Sequence, residues 1–240
     1  MNVAAVLTAA GSGSRLGHTL PKALVPVRGE PIVVHAARAL AQARPGGVAM
    51  SLVVTAPAAH LAEFARVLPG VVVVAGGATR QESVARALEV LGDDVDVVLV
   101  HDAARPFVPA DLVERVAQAV VDGHVAVIPG VPVTDTIKQV DVKQAGPDGL
   151  GWPVERTVDR AVLRAVQTPQ GFARDVLVRA HAAAAHDAAD EASAASDDAG
   201  LVERLGLPVW VVPGDERAAK ITTRRDLLLA ELDLPVEEKR

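Results

Sequence analysis

Residues 3–17 of the chain read VAAVLTAAGSGSRLG, an apolar run that leads directly into a glycine-rich loop. The run Val3–Thr8 is rich in valine and alanine and ends at small residues, a pattern that predicts a buried β-strand. Small residues in the loop from Ala9 to Gly17 let backbone N–H groups approach an anion closely. Arg15 inside the loop and Lys22 just after it add two positive charges. This stretch therefore predicts a site that binds the phosphates of a nucleoside triphosphate.

Two alternatives compete with that interpretation of the loop. A simple glycine turn with two solvated cations would have the same sequence, and the glycine spacing is also a variant of a dinucleotide-binding loop. A dinucleotide-binding fold needs an acidic residue at the end of its second strand to hold the ribose hydroxyls. The second predicted strand ends in VVTAP at residues 53–57, which contains no acid. Since Arg15 and Lys22 also suit a triphosphate better than NAD, an NAD-dependent oxidoreductase is left as a remote alternative.

Beyond the loop, strand patterns alternate with helix patterns. Valine-rich runs bounded by Gly, Pro or Asp predict further strands at Ala49–Thr55, Val71–Ala75, Val95–His101 and Val125–Val131. The segments between them predict helices at Pro31–Ala43, Ala58–Leu68, Arg80–Leu91 and Pro109–Val121. This alternation predicts an α/β fold with a doubly wound, mostly parallel, Rossmann-like sheet and helices on both faces. Ligands of such sheets bind at the carboxyl ends of the strands.

One segment interrupts the alternation. Thr134–Val142 alternates polar and apolar residues, a turn cluster follows at residues 146–149, and Trp152–Asp159 returns, which predicts a β-hairpin. Because an isolated hairpin is marginal in water, it must pack on its own domain or on another subunit. We therefore predict one domain over residues 1–240, with residues 133–160 forming a protruding β-arm that packs either on this domain or on another subunit. Beyond the arm we predict a helical stretch over Arg174–Glu203, a strand over Pro208–Val212 and a helix over Arg224–Leu232.

Composition excludes several classes of protein. The net charge of −6 and an aromatic content of 2% argue against nucleic acid as a partner, because such binding needs a basic face and stacking platforms. The chain has no cysteine, which excludes disulfides and thiolate chemistry. His181 and His186 are five residues apart, a spacing that does not place two metal ligands on one helix face. The first residues fit a strand better than a signal peptide and no apolar run reaches the about 18 residues of a membrane span, so we expect a cytoplasmic protein without membrane association.

Further motifs follow the glycine loop in a fixed order. They are PK (21–22), GGATRQESV (76–84), HDAARP (101–106), DTIK (135–138), TVDR (157–160) and TPQ (168–170). Together with AAGSGSR (9–15), they resemble the 2-C-methyl-D-erythritol 4-phosphate cytidylyltransferase family, which belongs to the sugar-nucleotidyltransferase superfamily. The resemblance covers nearly the whole chain, and HDAARP is its most specific part. It implies an enzyme of non-mevalonate isoprenoid biosynthesis that joins CTP and methylerythritol phosphate and releases pyrophosphate.

The resemblance also implies roles for individual residues. The catalytic cations would be Arg15, Lys22 and Lys220. The nucleotide-binding residues would be Ala9, Ala10, Gly11, Gly13, Gly77, Ser83, Asp102 and Ala103, with cytosine read at Gly77 and Ser83. Asp102 would also contact Mg²⁺ or another divalent cation. Taken without the resemblance, Ser83 could be an exposed hydroxyl and Asp102 an N-terminal helix cap.

The second substrate is expected to bind between two subunits. The resemblance places Arg105, Thr136, Lys138 and Arg160 at the methylerythritol phosphate, with the arm crossing to the partner in a homodimer that exchanges arms. Which acids of residues 187–198 approach the site stays open, because both SDDA (196–199) and DEA (190–192) match the family pattern. Ala78 stands where some members carry an acid, so base recognition there is expected to use backbone groups.

The expected chemistry needs no general base. A phosphate monoester has a second pKa of about 6, so the acceptor phosphate is already largely ionised at neutral pH. Catalysis would then consist of alignment and neutralisation of charge, which agrees with the lack of a cysteine nucleophile and of a convincing Ser/His or His/Asp arrangement. The nearest alternative is a cytidylyltransferase that acts on ribitol 5-phosphate, since such enzymes resemble this family closely.

Overall fold

The computed structural model describes residues 1–11, 20–144, 146, 149–186, 188 and 194–233. The strands are β1 Val3–Thr8, β2 Pro26–Val27, β3 Glu30–Pro31, β4 Ser51–Ala56, β5 Val72–Ala75, β6 Val97–Asp102, β7 Ala126–Pro132, β8 Ile137–Val140, β9 Val154–Val158, β10 Arg164–Val166, β11 Gln170–Ala173 and β12 Trp210–Pro213. The α-helices are α1 Ile32–Gln42, α2 Leu61–Val67, α3 Arg80–Leu88, α4 Ala110–Val121, α5 Arg174–Ala183, α6 Asp198–Arg204 and α7 Arg224–Asp233.

Eight strands form one mixed sheet in the order β10-β7-β11-β6-β1-β4-β5, with β12 paired to β7. β1 pairs in parallel with β4 and β6, β4 pairs in parallel with β5, and β12 pairs in parallel with β7. β11 runs antiparallel to both β6 and β7, and β10 runs antiparallel to β7. Six of the eight strands therefore share one direction, which confirms the predicted, mostly parallel sheet.

The sheet is covered on both faces because its central strands are apolar on both sides. In β1, Ala5 and Leu7 belong to a core cluster with residues of α1 and α4, whereas Ala4 and Val6 belong to a second cluster with residues of α3 and α5. All four side chains are fully buried. Continuous apolar runs of this kind are typical of parallel strands between two helical layers. The predicted helices on both faces are confirmed.

The predicted helical stretch Arg174–Glu203 is confirmed at its two ends, but it is not one continuous helix. The structure has α5 at its start and α6 at its end, with residues 184–186 in a turn and residues 194–197 outside any helix. The physical reason for the second start is an N-terminal cap, since the Asp197 carboxylate accepts the backbone N–H of Gly200 at 3.0 Å. The antiparallel strands β10 and β11 were not predicted.

The arm contains the predicted hairpin. β8 and β9 pair antiparallel from Ile137 opposite Val158 to Val140 opposite Val154, and they form a two-stranded sheet of their own. Residues 145, 147 and 148 of the predicted turn lie outside the described residues. Several large apolar side chains of the arm are more than half exposed: Val142, Leu150, Trp152 and Val154. Among the described helices of the whole chain, none is long and apolar enough to cross a membrane.

Candidate active site

The loops that leave four neighbouring strands meet at one edge of the sheet. The backbone N–H of Ala9, after β1, donates to the carbonyl of Thr55 at 2.9 Å. The N–H of Ala103, after β6, donates to the carbonyl of Thr8 at 3.0 Å. These bonds place Ala9, Ala103 and the last residue of β6, Asp102, at the carboxyl ends of the strands, where ligands of such sheets bind. The predicted residues Gly13 and Arg15 lie outside the described residues.

The turn before α3 brings Gly77 and Ser83, the two predicted cytosine-binding residues, into direct contact. The N–H of Gly77 donates to Ser83 Oγ at 3.0 Å, and Ser83 Oγ donates to the carbonyl of Thr79 at 2.8 Å. Thr79 caps α3 by accepting the N–H of Glu82. Ser83 is only 2% exposed, so the alternative of an exposed surface hydroxyl is wrong.

The same turn touches the loop after β1 through a glycine. A Cβ atom on Gly76 would lie 2.5 Å from Ala10 Cβ and 2.9 Å from Ser83 Oγ, closer than real contacts allow. Only glycine permits this approach of the two loops. The predicted nucleotide-binding residues Ala10 and Ser83 are therefore adjacent to one residue that cannot carry a side chain.

The Glu82 carboxylate contacts the backbone of Ala78. Glu82 Oε2 accepts the Ala78 N–H at 2.6 Å, and Glu82 Oε1 accepts Arg86 Nη2 at 2.6 Å. The hydrogen bond from Ala78 and the one from Arg86 hold the pKa of Glu82 below its usual value. The sequence prediction missed this acid because Glu82 stands one helical turn away from position 78.

Asp102, at the end of β6, has a cation on each carboxylate oxygen. Oδ1 accepts Arg80 Nε at 3.0 Å, and Oδ2 accepts Lys220 Nζ at 2.8 Å. Burial by itself would raise the pKa of Asp102, but the charges of Arg80 and Lys220 outweigh burial and hold this pKa far below its usual value. The alternative that Asp102 is a helix cap is wrong, because its carboxylate faces these two cations. Asp102 and Lys220, predicted separately from the sequence, are in direct contact.

Arg80 extends this network to the second half of the chain. Arg80 Nη1 donates to Asp198 Oδ2 at 2.5 Å, and Asp198 Oδ1 accepts His181 Nε2 at 2.9 Å. Burial by itself would lower the pKa of Arg80, but the carboxylates of Asp198 and Asp102 raise it. Of the two candidate acids in this range that the structure describes, Asp197 and Asp198, it is Asp198 that is linked to Asp102. Asp197 instead caps α6 and accepts Gln170 Nε2, and residues 190–192 lie outside the described residues.

His101, in the HDAARP motif, is buried and hydrogen-bonded at both ring nitrogens. Nε2 lies 3.0 Å from the carbonyl of Arg105, which can only accept, so Nε2 carries the proton in our assignment. Nδ1 then accepts the hydroxyl of Thr168 at 2.9 Å, and Thr168 Oγ1 accepts the N–H of Asp102 at 3.1 Å. Complete burial lowers the pKa of His101 to about 4. This histidine is therefore a neutral support for the backbone of Asp102.

Two further predicted cations are placed by local contacts. Arg105 donates from Nη1 to the carbonyl of Ala218 at 2.7 Å and from Nη2 to that of Val166 at 3.1 Å. Lys22 begins a short 3₁₀ turn, Lys22–Leu24, and its charge helps to lower the pKa of Asp226, although hydrogen bonds from backbone N–H groups just before α7 are the larger cause. Both cations are thus partly buried at fixed places in the fold.

The predicted arm residues are exposed and make contacts within the arm. Lys138 Nζ donates to Thr157 Oγ1 at 2.6 Å, and Arg160 donates to the carbonyl of Thr134. Thr136 precedes β8 and is exposed. In the hydrogen bonds and ion pairs between described residues, none of the three predicted arm residues contacts Asp102. Among the described contacts, Lys138 and Arg160 thus bond groups of the arm itself.

The residues around Asp102 were tested for the ability to hold a divalent cation. Within the described part of the chain, no group of three or more His, Asp or Glu side chains could hold a metal on its own. Mg²⁺ is often bound by one or two carboxylates together with substrate phosphates. One carboxylate, from Asp102, fits an ion that arrives with a triphosphate and does not fit a permanent all-protein metal site.

Comparisons with known proteins agree with this geometry. The sequence profile of 2-C-methyl-D-erythritol 4-phosphate cytidylyltransferase matches residues 3–235. A protein of that name from Frankia casuarinae is 51% identical over 230 residues, which cover 95% of this chain and 80% of the relative. Another from Streptomyces avermitilis is 50% identical over 237 residues, covering 95% of this chain and 90% of the relative.

A solved structure shares the architecture. The crystal structure of 2-C-methyl-D-erythritol 4-phosphate cytidylyltransferase from Thermus thermophilus superimposes with a TM-score of 0.74 at 38% sequence identity. The match covers 97% of this chain and 98% of that one. The similarity therefore extends over nearly the whole chain.

Proposed function

This chain belongs to the 2-C-methyl-D-erythritol 4-phosphate cytidylyltransferase family, and we propose that it joins CTP and 2-C-methyl-D-erythritol 4-phosphate, giving 4-diphosphocytidyl-2-C-methyl-D-erythritol and pyrophosphate. This reaction is a step of non-mevalonate isoprenoid biosynthesis. The observation that carries the proposal is the Asp102–Lys220 pair at the end of β6, beside the turn that holds Ser83. A paired acid and lysine next to a base-reading turn suit transfer of a nucleotidyl group.

In this proposal cytosine binds at the turn before α3. The Gly77 N–H and the Ser83 hydroxyl are already aligned by their mutual hydrogen bond, so they can be redirected to the base over a short distance. The burial of Ser83 excludes water from that polar pair, which strengthens hydrogen bonds made there. Backbone groups and one hydroxyl can distinguish cytosine from uracil by the different donor and acceptor at ring position 4.

Three cations neutralise the triphosphate. Arg15, in the loop after β1, and Lys22 are assigned to the triphosphate, and Lys220 is assigned to its α-phosphate. An ion pair with Asp102 holds the Lys220 ammonium in place before substrate arrives. Such preorganised charge is worth most where it meets charge that develops in the transition state.

The chemistry is in-line attack by a phosphate oxygen of the acceptor on the α-phosphorus of CTP. The new P–O bond forms while the bond to the bridging oxygen of the β-phosphate breaks, and that oxygen leaves with pyrophosphate. The acceptor phosphate is ionised at neutral pH, so no residue has to remove a proton. The protein's contribution is alignment of the two substrates and stabilisation of charge on the leaving group.

A divalent cation, Mg²⁺ or another, completes the proposal, with Asp102 as its contact on the protein. When bound with CTP, such an ion supplies positive charge to the phosphate oxygens. Asp102 keeps its negative charge at neutral pH because its pKa is held far below the usual value, despite burial, by Arg80 and Lys220. It can therefore accept a cation as soon as Lys220 turns towards a phosphate.

The acceptor site is proposed to lie between two subunits. Arg105 lies in the crevice of one chain, and Thr136, Lys138 and Arg160 come from the arm of the partner in a homodimer. The exposed apolar side chains of the arm, among them Leu150 and Trp152, support this arrangement because a second chain would cover them. CTP is an intracellular nucleotide, so we assign the protein to the cytoplasm.

Pyrophosphate release tests the proposed reaction. Each of the four common nucleoside triphosphates is assayed with 2-C-methyl-D-erythritol 4-phosphate and, separately, with ribitol 5-phosphate as acceptor. We expect release with CTP and the methylerythritol acceptor. Release with ribitol 5-phosphate alone would overturn the proposed substrate, and reduction of NAD would overturn the class of enzyme.

A further inference from the structure

The guanidinium of Arg80 lies between two carboxylates from distant parts of the chain. Nε bonds Asp102 at the substrate edge of β6, and Nη1 bonds Asp198 at the start of α6. The Asp198 side chain is 1% exposed, and that of Asp102 is 12% exposed. Arg80 itself extends from the first turn of α3, the turn that also carries Ser83.

Stability alone does not explain this arrangement. Replacing a buried ion pair by apolar groups is often neutral or stabilising, so a buried salt bridge is weak evidence for a role in folding. Removing one partner, in contrast, leaves an uncompensated buried charge. Asp102 has two cationic partners, and they differ in exposure, because the Lys220 side chain is 45% exposed and that of Arg80 is 25% exposed.

Both carboxylates of the network bond Arg80, and Asp102 has Lys220 as a second cation. Asp198 and Asp102 carry two negative charges, and Arg80 and Lys220 carry two positive charges. If Lys220 leaves Asp102 to meet a phosphate, Arg80 is the remaining cation on Asp102 among the contacts of described residues. Arg80 cannot easily move away from Asp102 with Lys220, since its Nη1 is bonded to Asp198, and Asp198 is in turn bonded to His181.

We propose that Arg80 is a positioning residue for nucleotidyl transfer: anchored by Asp198, it fixes Asp102 and thereby lets Lys220 exchange from Asp102 to the α-phosphate. This inference rests on the proposed function, because the exchange needs a phosphate ligand. It also gives α5 and α6 a part in the reaction, since His181 and Asp198 act through Arg80 without lying next to Asp102.

Steady-state kinetics of Arg80→Gln test the positioning role. We expect kcat to fall about ten- to a hundred-fold, the range typical for loss of a group that orients a functional residue. KM for CTP should change much less, because the cytosine contacts are not removed. Arg174→Gln is the matched control: Arg174 is 26% exposed and is paired with Asp93, near the opposite end of β6. It should stay within about two-fold of wild type.

A double-mutant cycle with Lys220→Gln separates positioning from a structural role. If Arg80 acts by freeing Lys220, replacing Arg80 should cost much less activity once Lys220 is already absent. A purely structural role predicts that the two fold-losses multiply, and that result would overturn the proposal. Normal kcat in a folded Arg80→Gln variant would overturn it as well.

Two further controls test whether each variant is folded and whether the wild-type protein catalyses the proposed reaction. Circular dichroism reports whether each variant is folded. If Arg80→Gln is not folded, Arg80→Lys and Asp198→Asn are used in its place, and the same loss of kcat is expected of them. Loss of folding in all three would make Arg80 a core residue and contradict the proposal. If the wild-type protein releases no pyrophosphate from CTP, the proposed function is contradicted. The variants are then compared by calorimetric binding of CTP without acceptor. An unchanged CTP affinity of Lys220→Gln would show that Lys220 does not meet the triphosphate, which would contradict the proposed exchange.

Discussion

The edge of the sheet around Asp102 and the arm formed by β8 and β9 hold their charged side chains in opposite ways. At the edge, Asp102 and Asp198 are nearly buried and bonded by Arg80, with contacts that span 22 and 118 residues of sequence. In the arm, Lys138 and Arg160 are exposed and bond groups on the arm itself. One region is organised by the fold of the chain, and the other has a local structure that leaves its apolar surface uncovered.

Under the proposed function, this difference predicts how each of the two substrates is bound. Charges fixed in a partly buried network need little reorganisation when a ligand arrives, so one chain can prepare the nucleotide site. Exposed charges on a hairpin are weakly oriented, and a hairpin gains order when another surface packs against it. The comparison predicts that changes at the edge reduce chemistry directly, whereas changes in the arm act through the acceptor and through a second subunit.

The largest effect is expected from Lys22→Ala, which removes a cation from the nucleotide half. Turnover should fall by at least ~10²-fold, because loss of one group that stabilises developing charge typically costs this much. Arg66→Ala, on the exposed face of α2, is the control and should retain activity. Near-normal pyrophosphate release by the Lys22 variant would break the assignment of catalytic charge to this half.

Buried His101 should make stability depend on pH. The unfolded chain binds a proton at this residue near pH 6.5 and the folded protein only near pH 4, so the unfolded state takes up the proton first as pH falls. The contribution of His101 to the free energy of unfolding should be fully present above pH 6.5. It should decrease as pH approaches 4, by at most about 3 kcal/mol. Urea unfolding in buffer with a chelator measures this, and His101→Gln should show a shallower dependence. Equal slopes in the two proteins would contradict a neutral His101.

A smaller effect is expected from Arg160→Ala in the arm. KM for the acceptor should rise about ten-fold, the equivalent of one lost charged hydrogen bond, while KM for CTP stays close to wild type. Arg156→Ala is the matched control, because Arg156 is another exposed arm arginine that bonds Gln139 within the hairpin. A rise in the KM for CTP alone would show that Arg160 contacts CTP and not the acceptor.

Mixing the Lys22→Ala and Arg160→Ala proteins sharpens the same prediction, if activity is measured well below the acceptor KM, where each variant alone has at most about a tenth of wild-type activity. If arms are exchanged, a dimer of one Lys22→Ala chain and one Arg160→Ala chain contains one site with both changes and one intact site. After random reassociation of equal amounts, activity should recover to about a quarter of wild type, since about half of the dimers are mixed. A mixture no more active than its components would show that both residues act within one chain.

The central sheet was predictable because its strands are valine-rich runs with clear boundaries and its helices have apolar stripes. The split into α5 and α6 was not predicted, although Ser196 and Asp197 are residue types that favour a helix N-terminus, because the alanine-rich stretch before them masks this signal. β10 and β11 were missed because strands of three and four residues carry too little periodicity to be recognised.

The sequence motifs named candidate residues for the site, but they did not predict the contacts between those residues. The motifs pointed to Asp102, Ser83 and Lys220, yet nothing local in the sequence indicated that Lys220 bonds Asp102 across 118 residues. Arg80 stands in the same motif as Ser83, and its role was missed because its partner Asp198 is equally distant. A charged cluster of this kind becomes visible only when the fold brings its members together.

The ion pair between Lys220 and Asp102 has a consequence for inhibitor chemistry. An anionic compound can take Lys220 from Asp102 and replace one ion pair by another, as a phosphate would. A neutral compound at the same place must either leave the pair closed or separate two partly buried charges without compensation, which is costly. If Lys220 meets the α-phosphate as proposed, selective inhibitors need an acidic group at that position, or else should avoid Lys220 and bind only the turn around Gly77.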